Sequence, residues 1–174
     1  MRLSQAALLA AIVSTSVLWS TEARAAGNRF PTVVDSRDCR DDAGNLVGTI
    51  TFRGAKVLWP PNHKYRRAVI AGDAVDGGDS VLLETEASSD EAVDAPGSGH
   101  TAEDVSPATD SDEALAGAST AHRLRGERST EGNGRTYTIR ATATFTDTDQ
   151  DGDLGDTSCT VSFEVDVPRS QKAN

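Results

Sequence analysis

The chain has 174 residues, with 17 basic and 27 acidic side chains and a net charge of −10 at pH 7. That excess of acid excludes nucleic acid as an expected partner, since most of the surface would repel a polyanion. The length suits one domain with a buried core, and two cysteines are too few for a cysteine metal centre.

Residues 1–25 combine Arg2, an apolar run over 6–19 broken only by Ser and Thr, and the small-x-small pattern Ala23-Arg24-Ala25. This predicts a secretory signal peptide cleaved near Ala25. A membrane anchor is the rival reading, but the run is shorter than the roughly 18 to 20 apolar residues a spanning helix needs. Cleavage would leave 15 basic and 26 acidic side chains on a soluble, secreted protein, extracellular or periplasmic, with no membrane insertion and expected to be a monomer. In such oxidising surroundings Cys39 and Cys159 are expected to form one disulfide. Two free buried thiols are the alternative.

The segment 26–45 holds a short edge-type strand at 31–35 and a turn at Asp42-Ala43-Gly44-Asn45. A strand over 46–53 alternates, with Leu46, Gly48, Ile50 and Phe52 expected to face inward. Leu58-Trp59-Pro60-Pro61-Asn62-His63-Lys64 is the most distinctive string, because two prolines fix φ and stiffen a corner. Trp59 and His63 there form a candidate ligand corner. The competing reading makes Trp59 a core or rim anchor and Asn62-His63 a rigid bend. Strands are expected next over 65–71 and 81–87, the second placing Val81, Leu83 and Thr85 on one side.

Between Ala68 and His122 there is no Lys or Arg, while 13 acidic residues crowd the span. Within it, 88–118 is rich in Gly, Ser, Asp, Ala and Pro and is expected to be a long acidic loop, with a short helix at 112–118 as an option. A strand over 121–128 sets His122, Leu124 and Gly126 opposite Arg123, Arg125 and Glu127. The last hairpin, 135–168, is the clearest element. Tyr137, Ile139, Ala141, Ala143 and Phe145 share one parity in the first arm, as do Cys159, Val161, Phe163, Val165 and Val167 in the second. About seven strands and no amphipathic helix predict an all-β, immunoglobulin-like antiparallel β-sandwich over 46–168, with 169–174 as a tail.

In one order the chain carries LWPPNHK at 58–64, an acidic loop, LRGERS at 124–129, GNGRTYTI at 132–139 and a terminal valine-rich strand. This set resembles a group of bacterial secreted immunoglobulin-like modules with an LWPPNHK turn and LRAER and GxGRxYTI strands. The resemblance spans about 56–168. It implies a sandwich serving display, adhesion or scaffolding in surface or secreted proteins. Gly126 inside the LRAER-like strand and a longer acidic final loop depart from that group.

Asp147, Asp149, Asp151, Asp153 and Asp156 lie in the final loop, where Asp147-x-Asp149-x-Asp151-Gly152 matches the first part of a calcium loop. Alternate carboxylates can converge on a hard cation such as Ca²⁺. Position twelve is Ser158, not Glu, so no EF-hand is expected; the plain alternative is a solvated acidic turn. Asp90, Glu91, Asp94, Glu103 and Asp104 form a second candidate ion site, with a simple flexible loop as the alternative reading. His63, His100 and His122 lack metal-type spacing, and no catalytic residue is assigned. The expected function is a secreted, non-enzymatic, calcium-binding sandwich module for surface interaction, adhesion or scaffolding, its partner a surface protein or glycan. The alternative is a small secreted hydrolase using carboxylates of the acidic loop.

Overall fold

The computed structural model describes residues 32–93, 96, 103–148 and 156–170, and the expected signal segment lies outside them. Nine strands occur among these residues: β1 (Thr32–Arg40), β2 (Leu46–Ala55), β3 (Tyr65–Ala74), β4 (Ser80–Ser89), β5 (Val105–Ser106), β6 (Thr109–Leu115), β7 (Gly117–Arg125), β8 (Gly134–Thr146) and β9 (Thr157–Pro168). They form two antiparallel sheets, ordered β1-β2-β3-β7-β5 and β6-β4-β8-β9. No helix of the described residues is long and apolar enough to cross a membrane.

Period-two alternation builds the core between these sheets. On β8, Tyr137, Ile139, Ala141, Ala143 and Phe145 are all fully buried, while the intervening threonines face out. Ile50, Phe52, Ile70 and Leu83 meet them from the other strands. The Phe52 and Phe163 rings stack with centroids 5.6 Å apart, joining the two sheets. Gly48 sits where β2 crosses β8, and a Cβ there would lie 2.2 Å from the Phe145 ring. Only a residue without a side chain lets the sheets approach at that point.

Cys39 and Cys159 are bonded, with Cα atoms 5.8 Å apart at a sequence separation of 120. They tie β1, an edge of the first sheet, to β9, an edge of the second. The bond therefore staples the open side of the sandwich.

Five expectations are corrected. The acidic stretch 88–118 is not one loop, because β6 within it pairs with β4, Leu83 opposite Asp112. The optional helix at 112–118 is absent for the same reason: β6 is an edge strand held by backbone bonds, so it needs no apolar pattern. Leu46 is 40% exposed, because a bulge at Cys39/Arg40 shifts the register at the start of β2. Glu127 is fully buried, because β7 ends at Arg125 and the strand alternation stops with it. With β5 and β6 added, nine strands replace the seven expected.

Candidate functional site

The corner 58–64 is stitched to both sheets. Leu58 N–H donates to the Asp166 carbonyl at 2.7 Å, fixing the corner to β9, and the Leu58 side chain is buried in the core. The Asn62 and His63 N–H groups both donate to the Gly126 carbonyl, at 2.8 and 3.0 Å, and Gly126 N–H returns to the Lys64 carbonyl at 3.0 Å. Leu58 rather than Trp59 is the core anchor. Trp59 is left half-buried at the rim, and the Trp59–Pro60 peptide is cis.

On one side of the corner lies a depression of about 510 Å³, lined by Trp59, Val57, Val69, Arg53, Arg66 and Arg67 among others. The register explains how the arginines meet. Arg53 is opposite Val69, so it stands diagonally beside Arg67 on the outer face of the sheet. All three arginines are exposed, and among the described residues no hydrogen bond or ion pair engages their guanidinium groups. Three basic side chains on and beside β1 are paired instead: Arg37 and Lys56 with Asp35, Arg40 with Asp38. Next to the depression, Arg123 is opposite Arg67 and Arg125 opposite Tyr65, with both guanidinium groups over the Tyr65 ring at 5.7 and 4.4 Å. The outer face of the five-stranded sheet is thus basic in an acidic protein. Opposite it, Glu84, Glu86 and Asp110 line a depression on the four-stranded sheet, with Arg140 the basic group among its lining residues.

On the other side of the corner, a buried charge cluster closes the end of the sandwich. Arg135 lies on the inward parity of β8, ahead of Tyr137, and its side chain is fully buried. Its Nε is 3.2 Å from Glu91 Oε2, its Nη1 pairs with Asp104, and Glu127 Oε1 lies 3.8 Å away. Glu91 Oε2 also accepts from the Ser129 N–H at 2.6 Å. Tyr137 donates its hydroxyl to the Arg125 carbonyl at 2.6 Å. His63, in left-handed backbone with φ 59°, brings Nδ1 to 3.0 Å from Glu127 Oε2.

Three carboxyls around one guanidinium cannot all ionise cheaply in a dry site. Burial pushes the Asp104 carboxyl up to about 6, and its hydrogen bond with Glu127 adds to this, outweighing the pull of Arg135. Burial pushes the Tyr137 hydroxyl up to about 12. Burial disfavours the charge of Arg135, but Tyr137, Asp104 and Glu91 more than offset it and hold its pKa above the ordinary arginine value. Asp104 is 2% exposed and Glu127 is 0% exposed, so a substrate reaches neither without opening the fold.

Trp59 and His63 therefore belong to opposite sides of the corner, one on the open depression and one on the buried cluster. Of the second acidic set, Glu91 and Asp104 come together at Arg135. Asp90 accepts from the Thr136 N–H at 2.7 Å, and Glu103 offers its backbone carbonyl to Tyr65 and Arg125. Asp94 and His100 lie outside the described residues, and His122 is a core residue whose Nε2 is 2.9 Å from the Thr85 hydroxyl oxygen. Of the calcium-loop aspartates, Asp147 and Asp156 are described, at the two ends of the β8–β9 connection; Asp149, Asp151 and Asp153 lie outside. Among the described residues no three His, Cys, Asp or Glu side chains are grouped to hold a metal ion.

Sequence reasoning missed Arg53, Arg66 and Arg67. The doublet at 66–67 was legible as an exposed basic pair, but its meeting with Arg53 depends on strand register. It also missed Arg135, although its place two residues before Tyr137 put it on the buried parity. No protein-family model, curated protein or solved structure matches the chain.

Proposed function

We propose that the chain is a secreted, non-enzymatic, immunoglobulin-like β-sandwich module for surface interaction, with its recognition face at the Trp59 corner on the outer surface of the five-stranded sheet. One observation carries this reading: three guanidinium groups with no hydrogen-bond or ion-pair partner among the described residues line one depression beside an indole, in a chain of net charge −10. An acidic protein has carboxylates to spare for its own arginines, and leaving these three unpaired keeps them available to a ligand. Two face-to-face antiparallel sheets support the immunoglobulin-like part, and a disulfide supports export. Of the carboxylates the hydrolase alternative would use, Asp104 is sealed against Arg135 and Glu91 is paired with the same cation, which weighs against that alternative. Ca²⁺ at Asp147, Asp149, Asp151, Asp153 and Asp156 belongs to the same proposal as an ordering ion for the β8–β9 connection, resting on the spacing of these carboxylates.

The test is binding of the labelled protein to arrayed surface glycans and surface proteins, beside a variant with Arg53→Gln, Arg66→Gln and Arg67→Gln. Binding by the wild type that the triple variant loses, at an unchanged melting temperature, is the expected result. Equal binding by both would remove the recognition face from this corner.

A further inference from the structure

We infer that the Trp59 depression takes an acidic sugar, a uronate unit of a polysaccharide; this rests on the recognition face proposed above and names its ligand class. The lining has two chemical halves. Arg53, Arg66 and Arg67 supply planar, permanently charged forks that match a carboxylate bidentately. Trp59, Val57 and Val69 supply an apolar wall, which a bare inorganic anion would leave unused. A uronate satisfies both at once, with its carboxylate on the guanidinium groups and the C–H face of its ring on the indole. The volume of about 510 Å³ falls within the range of about 300 to 1,000 Å³ found for small-molecule pockets.

The charge of the whole chain narrows the class further. With ten more acidic than basic side chains, the protein repels any ligand of high charge density beyond the basic face. Duplex nucleic acid carries about one charge per 1.7 Å and is disfavoured on that ground. A polyuronate carries one carboxylate per sugar, so a unit seated in the depression brings few further charges near Glu84, Glu86 or Asp110 on the opposite sheet. An acidic peptide offers the same carboxylates without a rigid ring face for Trp59. The acidic sheet of a second copy would also present carboxylates, but on a surface with no ring to lay against the indole.

The experiment is isothermal titration of the full chain with a galacturonate hexamer, a neutral maltohexaose, poly-L-glutamate and inorganic phosphate, beside sedimentation velocity over a range of concentrations. Three variants accompany the wild type: Arg66→Gln with Arg67→Gln, Arg53→Gln, and Trp59→Ala, each checked for an unchanged melting temperature. The expected result is binding of the hexauronate and not of maltohexaose, weakened at least tenfold in the arginine double variant and in Trp59→Ala. If Trp59→Ala fails to fold, the Arg53→Gln and double variants still decide the charge half, and the maltohexaose and phosphate arms decide the sugar half. Poly-glutamate or phosphate binding as tightly as the hexauronate would overturn the sugar assignment while leaving a recognition face. Arginine-dependent self-association without hexauronate binding would assign the depression to a second copy instead. No heat with the hexauronate and no self-association would overturn the uronate assignment, while the recognition face stands or falls on the array comparison of wild type and triple variant.

Discussion

Asp104 sets its carboxyl against the guanidinium of Arg135, 2% and 0% exposed respectively, at a point where Glu91 and Glu127 reach the same cation. The pair closes one end of the sandwich, and it makes stability depend on proton uptake. The corner 58–64 packs over this end through His63, so the open depression and the buried charges share one support.

The pH dependence follows from the direction of the Asp104 shift. Its folded pKa, about 6, lies above the ordinary 3.8, so the folded state holds the proton more tightly than the unfolded chain. The contribution is fully present below about 3.8 and is lost as pH rises through about 6. Two pKa units correspond to about 3 kcal/mol as an upper figure. The groups acting on it are Glu127, Arg135 and Tyr137; Glu91 reaches it only through Arg135, and His63 and Arg125 only through Glu127. Asp35, lowered by its hydrogen bond to Lys56, and Asp41, lowered by Asn45, act oppositely and lose their contribution only below the ordinary carboxylate range. The melting temperature is therefore expected to rise as pH falls from 7.5 to about 5. Calorimetric scans of wild type and Asp104→Asn should show the rise in the first and a flatter profile in the second; parallel profiles would contradict this.

Removing the cation should cost more than removing one acid. Arg135→Met removes the cation shared by buried Asp104 and Glu127 and half-buried Glu91, and the loss of a buried counter-charge costs about 3 to 5 kcal/mol. Urea unfolding at pH 7 is expected to show that fall, partly recovered at pH 5 where Asp104 takes up its proton. A change below 1 kcal/mol at both pH values would mean the cluster contributes little.

The disulfide should matter through the unfolded chain. Closing a loop of this length is worth about 4 to 5 kcal/mol in the chain-entropy model. Cys39→Ser with Cys159→Ser is expected to lower stability by up to that amount in denaturant unfolding, and intact mass should shift by one bridge on reduction and alkylation. Two thiols alkylated without reductant would refute the bond.

Calcium is tested at the β8–β9 connection. Thermal unfolding with millimolar Ca²⁺ and with chelator is expected to separate for the wild type and to coincide for an Asp149→Ala, Asp151→Ala double variant. Coincident curves for both proteins would leave the aspartates as a solvated acidic turn.

The β class and most strand faces were legible along the chain. Tyr137 to Phe145 and Val81 to Thr85 were legible because a side chain's face in a strand is a local property with period two. The cysteine pair was legible because only one partner existed for each thiol. What the tertiary structure alone decided is which distant residues meet. β6 is a strand through its pairing with β4, Arg53 stands beside Arg67 through the β2–β3 register, and Glu127 turns inward where β7 stops. The Arg135 cluster gathers acids from 91, 104 and 127 around a cation on β8. Such meetings depend on register and crossing between sheets, and residues tens of positions apart leave no periodic trace of them along the chain.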